Sequence, residues 1–574
     1  MQNGNYVLIL HTHLPWVLHH GDWPHGEDWL TEVAAECYIP LLNTLNSLVE
    51  KGIQPKITIG ISPILCEQLA HSDFPKVFEN YCNEKIAAAE ADHEKFAAAG
   101  EDLHKVYLAQ YWKEWYAGRL NDFKNRYNSA LLGEFRRLQD IGAIELITCA
   151  ATHGYLPLLP DDKSINMQII LAKENYKKHF GRYPEGIWLP ECAYRPAYEW
   201  HSLLPIFPYN LPKLRSGVEQ FLAKNGIKFF VTDQVHTENS RSLGYYENQF
   251  EKSGFQSLYG NDDPKYYIEK TPLKTFDVAS SSKIEFGTAT AFTRHHDISM
   301  LVWSGYIGYP AEPDYLDFHK KEAGSMLRYW RVTDRGADMM YKTLYHPDWT
   351  EDKIDHQAGH FIHNAENTVN YFHDKTGGNA VLTTPFDTEL FGHWWFEGGK
   401  FIEKVLTGMH YSPYIKAVTC SEQLAENPPK EVVALQEGSW GENYNHDVWC
   451  NDENKWTWEM LYNAENMWIM FLQKYPLASL TPKTLRIAKQ AYRELLLMQS
   501  SDWQFLIHTH SAKDYAEMRF ANHKSDFENL MALAEKNQSK KRPTKAENQY
   551  LAEVEARDSC FAEINLNWWR ELEF

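Results

Sequence analysis

Apolar residues recur along this chain in short runs that end on a polar residue. The first is "YVLILHTHLP", in which Val7 to Leu10 are followed by His11, Thr12, His13 and Pro15. A short run rich in Val, Leu and Ile predicts a strand buried on both faces. The design repeats in "KITIGISP", "AIELITCAATHGYLP", "GIWLPE", "IKFFVTD" and "NAVLTTPFDTE". The last four of these close on His153, Glu191, Asp233 and Asp387. Between the runs the spacing turns helical, as over residues 29–51, where Leu41, Leu42, Leu45 and Leu48 share one face. Alternating strands and helices predict a parallel α/β fold. Polar residues at successive strand ends predict one shared functional face, as in a barrel of about six or seven strands.

Three segments depart from this alternation. Residues 71–130 are charged and Ala-rich ("EKIAAAEADHEKFAAAGEDLHKVY"). They hold strong helix formers over more length than one barrel helix needs, which predicts a helical insertion. Residues 238–290 mix Gly, Ser, Asn and aromatics, which predicts a long irregular excursion near the active face. Beyond about residue 420 the strand pattern stops, and "WTWEMLYNAENMWIMFLQKY" and "LRIAKQAYRELLLMQSSDW" are helical in period. The expected division is a catalytic unit over 1–70 and 131–420, the insertion over 71–130, and a C-terminal helical domain over 421–574. No internal repeat is visible.

At 574 residues the chain exceeds one ordinary core, in keeping with that division. "MQNGNYVLIL" lacks a basic leader region, and no stretch reaches a membrane-spanning length. A soluble, cytoplasmic monomer is expected. The formal charge of −20 argues against nucleic acid and anionic membranes as partners. Eight cysteines (Cys37, Cys66, Cys82, Cys149, Cys192, Cys420, Cys450 and Cys560) form no C-x-x-C pair, against a zinc ribbon or a disulfide framework.

Aromatic placement changes the picture more. Several tryptophans sit among polar residues and glycines, in "HGDWPHGEDW", "GHWWFEGG", "GSWGENYNHDVW" and "SSDWQF". Core tryptophans normally sit among aliphatics. A sugar ring offers one apolar face to an aromatic and needs hydrogen-bond partners beside it, so these stretches predict a carbohydrate groove. Glu191 ("WLPE") and Asp387 ("TTPFD") each follow an apolar strand and a proline. Either alone reads as a helix cap. Together they fit a carboxylate pair for glycosidic cleavage, in which one attacks or acts as base and the other keeps its proton. Glu389 would raise that proton's affinity by its charge or bind a sugar hydroxyl. His11 and His13 are two residues apart on extended chain, so their rings share a side. They read as donors to substrate hydroxyls or as metal ligands, for which His153, Asp233, His295, His296 and Asp297 are further candidates.

"ILHTHLPW", "CAATHGYLP", "GIWLPECAY" and "TTPFDTELFGHWWFEG" are similar to the successive conserved regions of glycoside hydrolase family 57. "YKKHFGRYPEGIWLPECAY", "VWSGYIGYPAEPDY" and "SSDWQFLIHTHSAKDYAEMRF" resemble its branching-enzyme subgroup, and the likeness covers nearly the whole chain. The resemblance implies an incomplete (β/α)7 TIM-like barrel, with a helical insertion and a C-terminal all-α domain that closes one side of the groove. It implies a retaining reaction on α-1,4-glucan (amylose or a glycogen-like polysaccharide) with no metal or other cofactor. Glu191 matches the nucleophile and Asp387 the general acid/base, with carboxyl groups roughly 5–5.5 Å apart. His11, His13 and His153 match sugar-site histidines. Trp29, Arg294, Trp303, Trp440, Trp449 and Asp502 match residues of the groove. The subgroup carries a tyrosine in the 238–290 region, for which Tyr245 and Tyr246 are candidates. An α-amylase or 4-α-glucanotransferase on the same scaffold is the alternative. Other classes are a zinc deacetylase or mannosidase using His11, His13 and Asp387, and a silent glucan-binding protein.

Overall fold

The computed structural model describes residues 2–22, 25–258, 268–281, 284, 287–334 and 336–570. Seven strands run parallel: β1 (Gly4–Thr12), β2 (Ile57–Ile61), β3 (Ile144–Cys149), β4 (Gly186–Trp188), β5 (Phe229–Thr232), β6 (Ala289–Thr293) and β7 (Ala380–Asp387). They neighbour one another in the order β7-β1-β2-β3-β4-β5-β6. The last strand therefore lies beside the first, and its register sets His11 against Asp387. β2 and β3 are buried at every position and β1 at all but one, the burial that unbroken apolar runs demand. The architecture is α/β, with a mixed sheet and a helical C-terminal region.

The two outer strands of this series approach each other. The His295 N–H, just past β6, donates to the Thr383 carbonyl of β7 at 2.9 Å. One compact apolar cluster draws Val7, Ile147, Trp188, Val231, Phe292 and Val381 from six of the seven strands. Larger apolar clusters lie outside it, one under the helices of the N-terminal two-thirds and one joined to the C-terminal helices.

Three expectations are corrected in detail, and the expected helical insertion is specified further. The helix expected over 29–51 begins at Glu27, and a π-helical segment, Ala34–Tyr38, interrupts it. Tyr38, its last residue, donates its hydroxyl proton to Glu389, consistent with the habit of π-bulges to occur at functional sites. The 71–130 region contains two long helices, Phe74–Ala99 and Leu103–Asn121, packed on each other. The 238–290 region is not irregular throughout: Arg241–Asn248 and Ser253–Ser257 pair as an antiparallel hairpin, and Phe276–Val278 joins the sheet beside β6. Residues 259–267, 282–283 and 285–286 of that region lie outside the described residues. Strand pairing continues past residue 420, because Glu431–Ala434 pairs with Phe276–Val278 and with the hairpin. Only four residues long and flanked by Pro428, Pro429 and polar positions, that strand gave no periodic signal.

Among the described residues five α-helices build the C-terminal region: Lys455–Lys474, Pro482–Met498, Asp502–Thr509, Lys513–Gln538 and Lys545–Arg557. It is tied to the segment after β1 through Trp16. The buried Trp16 indole N–H donates to the Arg557 carbonyl at 3.1 Å, and the Arg519 guanidinium donates to the Trp16 carbonyl at 2.6 Å. The start of the Asp502–Thr509 helix is held beside the strand ends by the Ser501 N–H, which donates to the His153 carbonyl at 3.0 Å. Among the described residues no helix is long and apolar enough to cross a membrane.

Candidate active site

A cavity of about 940 Å³ opens at the C-terminal ends of the parallel strands. His11 and His13 reach it from the end of β1, His153 from beyond β3, Glu191 from beyond β4, Arg294 from beyond β6, and Asp387 and Glu389 from the end of β7. Trp29 and Trp303 line it from the helices after β1 and β6. Trp440, Trp449 and Asp502 line it from beyond residue 436. All twelve side chains singled out for the site thus face one cavity.

Local backbone geometry aims two of them. Glu191 sits in a single turn, Pro190–Cys192, with φ of 60°, and His153 has φ of 58°. Both are left-handed conformations that cost a non-glycine residue on the order of 1–3 kcal/mol. The turn at Glu191 is clamped by the 438–440 loop. Tyr194 and Gly438 exchange two backbone hydrogen bonds, and the Trp440 N–H donates to the Glu191 carbonyl at 3.1 Å. Gly438 must be glycine, because a Cβ there would lie 2.1 Å from the Tyr444 carbonyl and its φ is 156°.

The two carboxyl groups have different surroundings. Glu191 accepts one hydrogen bond on each oxygen, from the Ser501 hydroxyl to Oε1 at 2.7 Å and from the Trp440 indole N–H to Oε2 at 3.1 Å. Asp387 accepts no side-chain hydrogen bond among the described residues. Burial, then the charges of Glu389 and Glu191, push the Asp387 carboxyl well above the usual carboxylate range, with Arg294 opposing. Burial also pushes Glu191 up to about 7, with Ser501 and Trp440 pulling it back. Glu389 is raised by burial to about 7, and it accepts from the Tyr38 hydroxyl at 2.7 Å and the His13 N–H at 3.2 Å.

The histidines form a stacked, mutually bonded group. His13 and His153 rings stack at 3.9 Å, and His11 stacks on Trp188 at 4.6 Å. His11 Nε2 lies 2.9 Å from His153 Nε2, and His153 Nδ1 lies 2.8 Å from Ser501 Oγ. His13 bonds Ser62 through Nδ1 and Asp502 through Nε2, at 2.8 and 2.9 Å. Burial depresses the pKa values of His11 and His153 well below the usual imidazole value, so both rings are neutral. Burial disfavours ionised Asp502, but the charge and hydrogen bond of His13 hold it near 2. His13, His153 and Asp502 offer ligand atoms within 4.8 Å of one another, as do His11, Cys149 and His153. Further sets with that spacing include Glu32, Glu36 and His393, of which His393 also lines the cavity; His13 already bonds Ser62 and Asp502, and His153 bonds His11 and Ser501. Asp233 is buried beneath the site and pairs with Arg294 at 2.6 Å, while His295 caps the helix that carries Trp303.

The tryptophans divide by position. Trp440 stands edge-on to Trp188 and Trp303, at 5.2 and 5.7 Å. Trp449 is a buried wall stacked on Tyr155, whereas Trp394 is half exposed and stacked on Phe318 at 4.3 Å. Trp395 and Trp503 are core residues, which corrects the groove expectation for those two. Trp23 lies outside the described residues. Tyr245 and Tyr246 are in the hairpin and neither lines the cavity; Tyr246 is buried against Phe255. Sequence reasoning missed Ser501, Tyr38 and Ser62, whereas Trp394 lies in a stretch expected to line a groove and does line the cavity. Ser501 adjoins Asp502, which was named, but nothing in the residue order shows a hydroxyl meeting a carboxylate 310 positions away.

A cavity walled by tryptophans, with two carboxyl groups presented from strand ends, defines a glycoside-processing enzyme. The chain belongs to glycosyl hydrolase family 57, whose family model matches residues 7–436. A second model, 1,4-alpha-glucan branching enzyme, C-terminal, matches residues 460–569. The chain is 37% identical over 529 residues to a 1,4-alpha-glucan branching enzyme of Thermococcus kodakarensis, covering 92% of this chain and 73% of that one. Its structure is similar to a family 57-type branching enzyme of Pyrococcus horikoshii, with a TM-score of 0.87, 36% identity, and coverage of 100% and 98% of the two chains. It is also similar to the α-amylase AmyC of Thermotoga maritima, with a TM-score of 0.78, 28% identity and full coverage of both chains.

Proposed function

We propose that this chain is a retaining 1,4-α-glucan branching enzyme. The observation that carries the mechanism is the unequal treatment of two carboxyl groups in one groove. Two donors favour the ionised form of Glu191, while two neighbouring carboxylates favour a proton on Asp387. Glu191 is then the nucleophile and Asp387 the acid. Glu191 attacks the anomeric carbon as the α-1,4 bond breaks, and Asp387 gives its proton to the departing 4-oxygen. The covalent glucosyl ester persists while the leaving chain departs. Asp387, now ionised, removes the proton from the 6-hydroxyl of a second chain. That oxygen attacks the anomeric carbon, releases Glu191 and forms an α-1,6 branch with configuration retained.

In this reading His11, His13 and His153 line the sugar subsite beside the ester, Asp502 binds a sugar hydroxyl there, and Arg294 tempers the charge on Asp387. Trp29, Trp303, Trp440 and Trp449 wall the glucan path and keep water from the ester, which favours transfer over hydrolysis. We read the seven parallel strands as an incomplete (β/α)7 barrel, supported by the β6–β7 bond and the shared inner cluster. Residues 71–130 are its helical insertion. The helical domain starts after the Glu431–Ala434 strand rather than at 421. Eight free thiols fit a reducing, cytoplasmic compartment. No step needs a metal, so activity should survive a strong chelator.

The match of residues 460–569 to the branching-enzyme C-terminal model favours branching, because that region supplies Ser501 and Asp502. The likeness to AmyC supports a hydrolytic alternative. Amylose treated with the protein should lose iodine absorbance and then yield short linear chains on isoamylase digestion. New reducing ends without α-1,6 linkages would replace branching by hydrolysis.

A further inference from the structure

We infer that Ser501 is a positioning residue for the proposed nucleophile, the last member of a one-way hydrogen-bond relay from His11 through His153 to Glu191. Ser501 is fully buried, just ahead of the Asp502–Thr509 helix, and its N–H donates to the His153 carbonyl at 3.0 Å. Its Oγ lies 2.7 Å from Glu191 Oε1 and 2.8 Å from His153 Nδ1. A hydroxyl has one proton, and an ionised carboxylate has none to give. Ser501 therefore donates to Glu191 and accepts from His153 Nδ1–H. A neutral His153 then carries its lone pair on Nε2. The 2.9 Å contact between the two Nε2 atoms requires His11 Nε2–H to be the donor.

The far end of the relay gives it direction. His11 Nδ1 is buried and has no hydrogen-bond partner. With the relay running towards Glu191, that atom is a bare lone pair. Run backwards, from a protonated Glu191, it would be an N–H with no acceptor; either orphan is unfavourable when buried, and the orphaned N–H is the rarer of the two in protein interiors. An atom three hydrogen bonds away thus biases Glu191 towards its charged form. The other ionisable groups facing Glu191 are Asp387 and Asp502, which oppose its charge, His13, which favours it, and the un-ionised Tyr155 and Cys149. Cys192 adjoins it in the chain. Among the described residues, only Ser501 donates to Oε1.

This inference rests on Glu191 being the nucleophile, and its test is a pH profile of kcat/KM on amylose. Ser501→Ala should move the acid limb about one pH unit upward and lower activity at pH 6 about tenfold. The loss should shrink above the limb, with KM within about twofold of wild type. Ser501→Cys keeps the volume with a weaker donor and should shift the limb the same way by less. It decides the matter if the alanine variant does not fold. An unmoved limb, or a loss equal at every pH, overturns the relay. Covalent trapping on Glu191 in an Asp387→Ala background separates the two claims. Trapping with an unmoved limb sinks only the relay, whereas no label on Glu191 sinks the nucleophile assignment beneath it.

Discussion

Trp440→Phe removes one atom group from the site and leaves most else in place. The phenyl ring keeps an apolar edge towards Trp188 and Trp303, and the backbone N–H still donates to the Glu191 carbonyl. What disappears is the indole N–H at 3.1 Å from Glu191 Oε2. A hydrogen bond to a charged group contributes about 1.5–3 kcal/mol. At 1.36 kcal/mol per pKa unit, its loss should raise the Glu191 pKa, already about 7, by about one to two units. The acid limb of kcat/KM reports the ionisation of the free enzyme's base or nucleophile. Activity should therefore fall about ten- to a hundredfold at pH 6 and recover as pH rises past the new limb. The assay is the initial rate of iodine-absorbance loss on amylose at subsaturating substrate between pH 5 and 9. A loss that is the same at every pH would mean that Trp440 acts only as a sugar platform and that its hydrogen bond to Glu191 does not set the ionisation.

Three further outcomes follow from the same geometry. Arg328 is buried and pairs with Glu36 at 2.8 Å, so Arg328→Met should destabilise the fold by about 3–5 kcal/mol, and adding Glu36→Gln should restore part of it; equal unfolding midpoints for wild type and the single variant would refute this. Glu465 is buried between Ser164 and Gln499, and burial raises it from 4.5 to about 8. The folded state holds its proton more tightly than the unfolded state, so the stability it contributes is full below about 4.5 and is lost as pH rises through about 8. Glu465→Gln should flatten the fall in melting temperature between pH 5 and 8, and an unchanged slope would count against it. Tyr38→Phe removes a donor from Glu389, which should raise Glu389 further and reduce its charge beside Asp387. The basic limb of kcat/KM should then move to lower pH, and a limb that stays or rises contradicts the coupling.

Strands were legible because the chemistry of the fold and of the site share one pattern. A strand buried on both faces must be an unbroken apolar run, and the residue that ends it must face the open end of the sheet. His11, His153, Glu191 and Asp387 were found in that way, without any knowledge of their neighbours. The family motifs added Arg294, Trp440 and Asp502, whose approach to the cavity depends on tertiary folding. Three things stayed hidden for physical reasons. The Glu431–Ala434 strand is too short to show a period. The hairpin of residues 241–257 carries polar and apolar residues on a half-exposed sheet edge, so its alternation is weak. The roles of Ser501 and Tyr38 depend on contacts across more than three hundred residues, which no local pattern encodes. Trp395 and Trp503 failed for the opposite reason: polar sequence neighbours disguised side chains that turn inward.

The central claim is that Glu191 forms the covalent intermediate while Asp387 moves the proton. It is tested most directly by mass spectrometry of the Asp387→Ala variant after reaction with an α-maltooligosyl fluoride. That donor carries its own leaving group and needs no acid, whereas breakdown of the ester needs the missing base. The account predicts that one maltooligosyl adduct accumulates and that digestion places it on Glu191, within the segment Gly186–Tyr194. An adduct on any other residue, or turnover with inversion and no adduct, would contradict it.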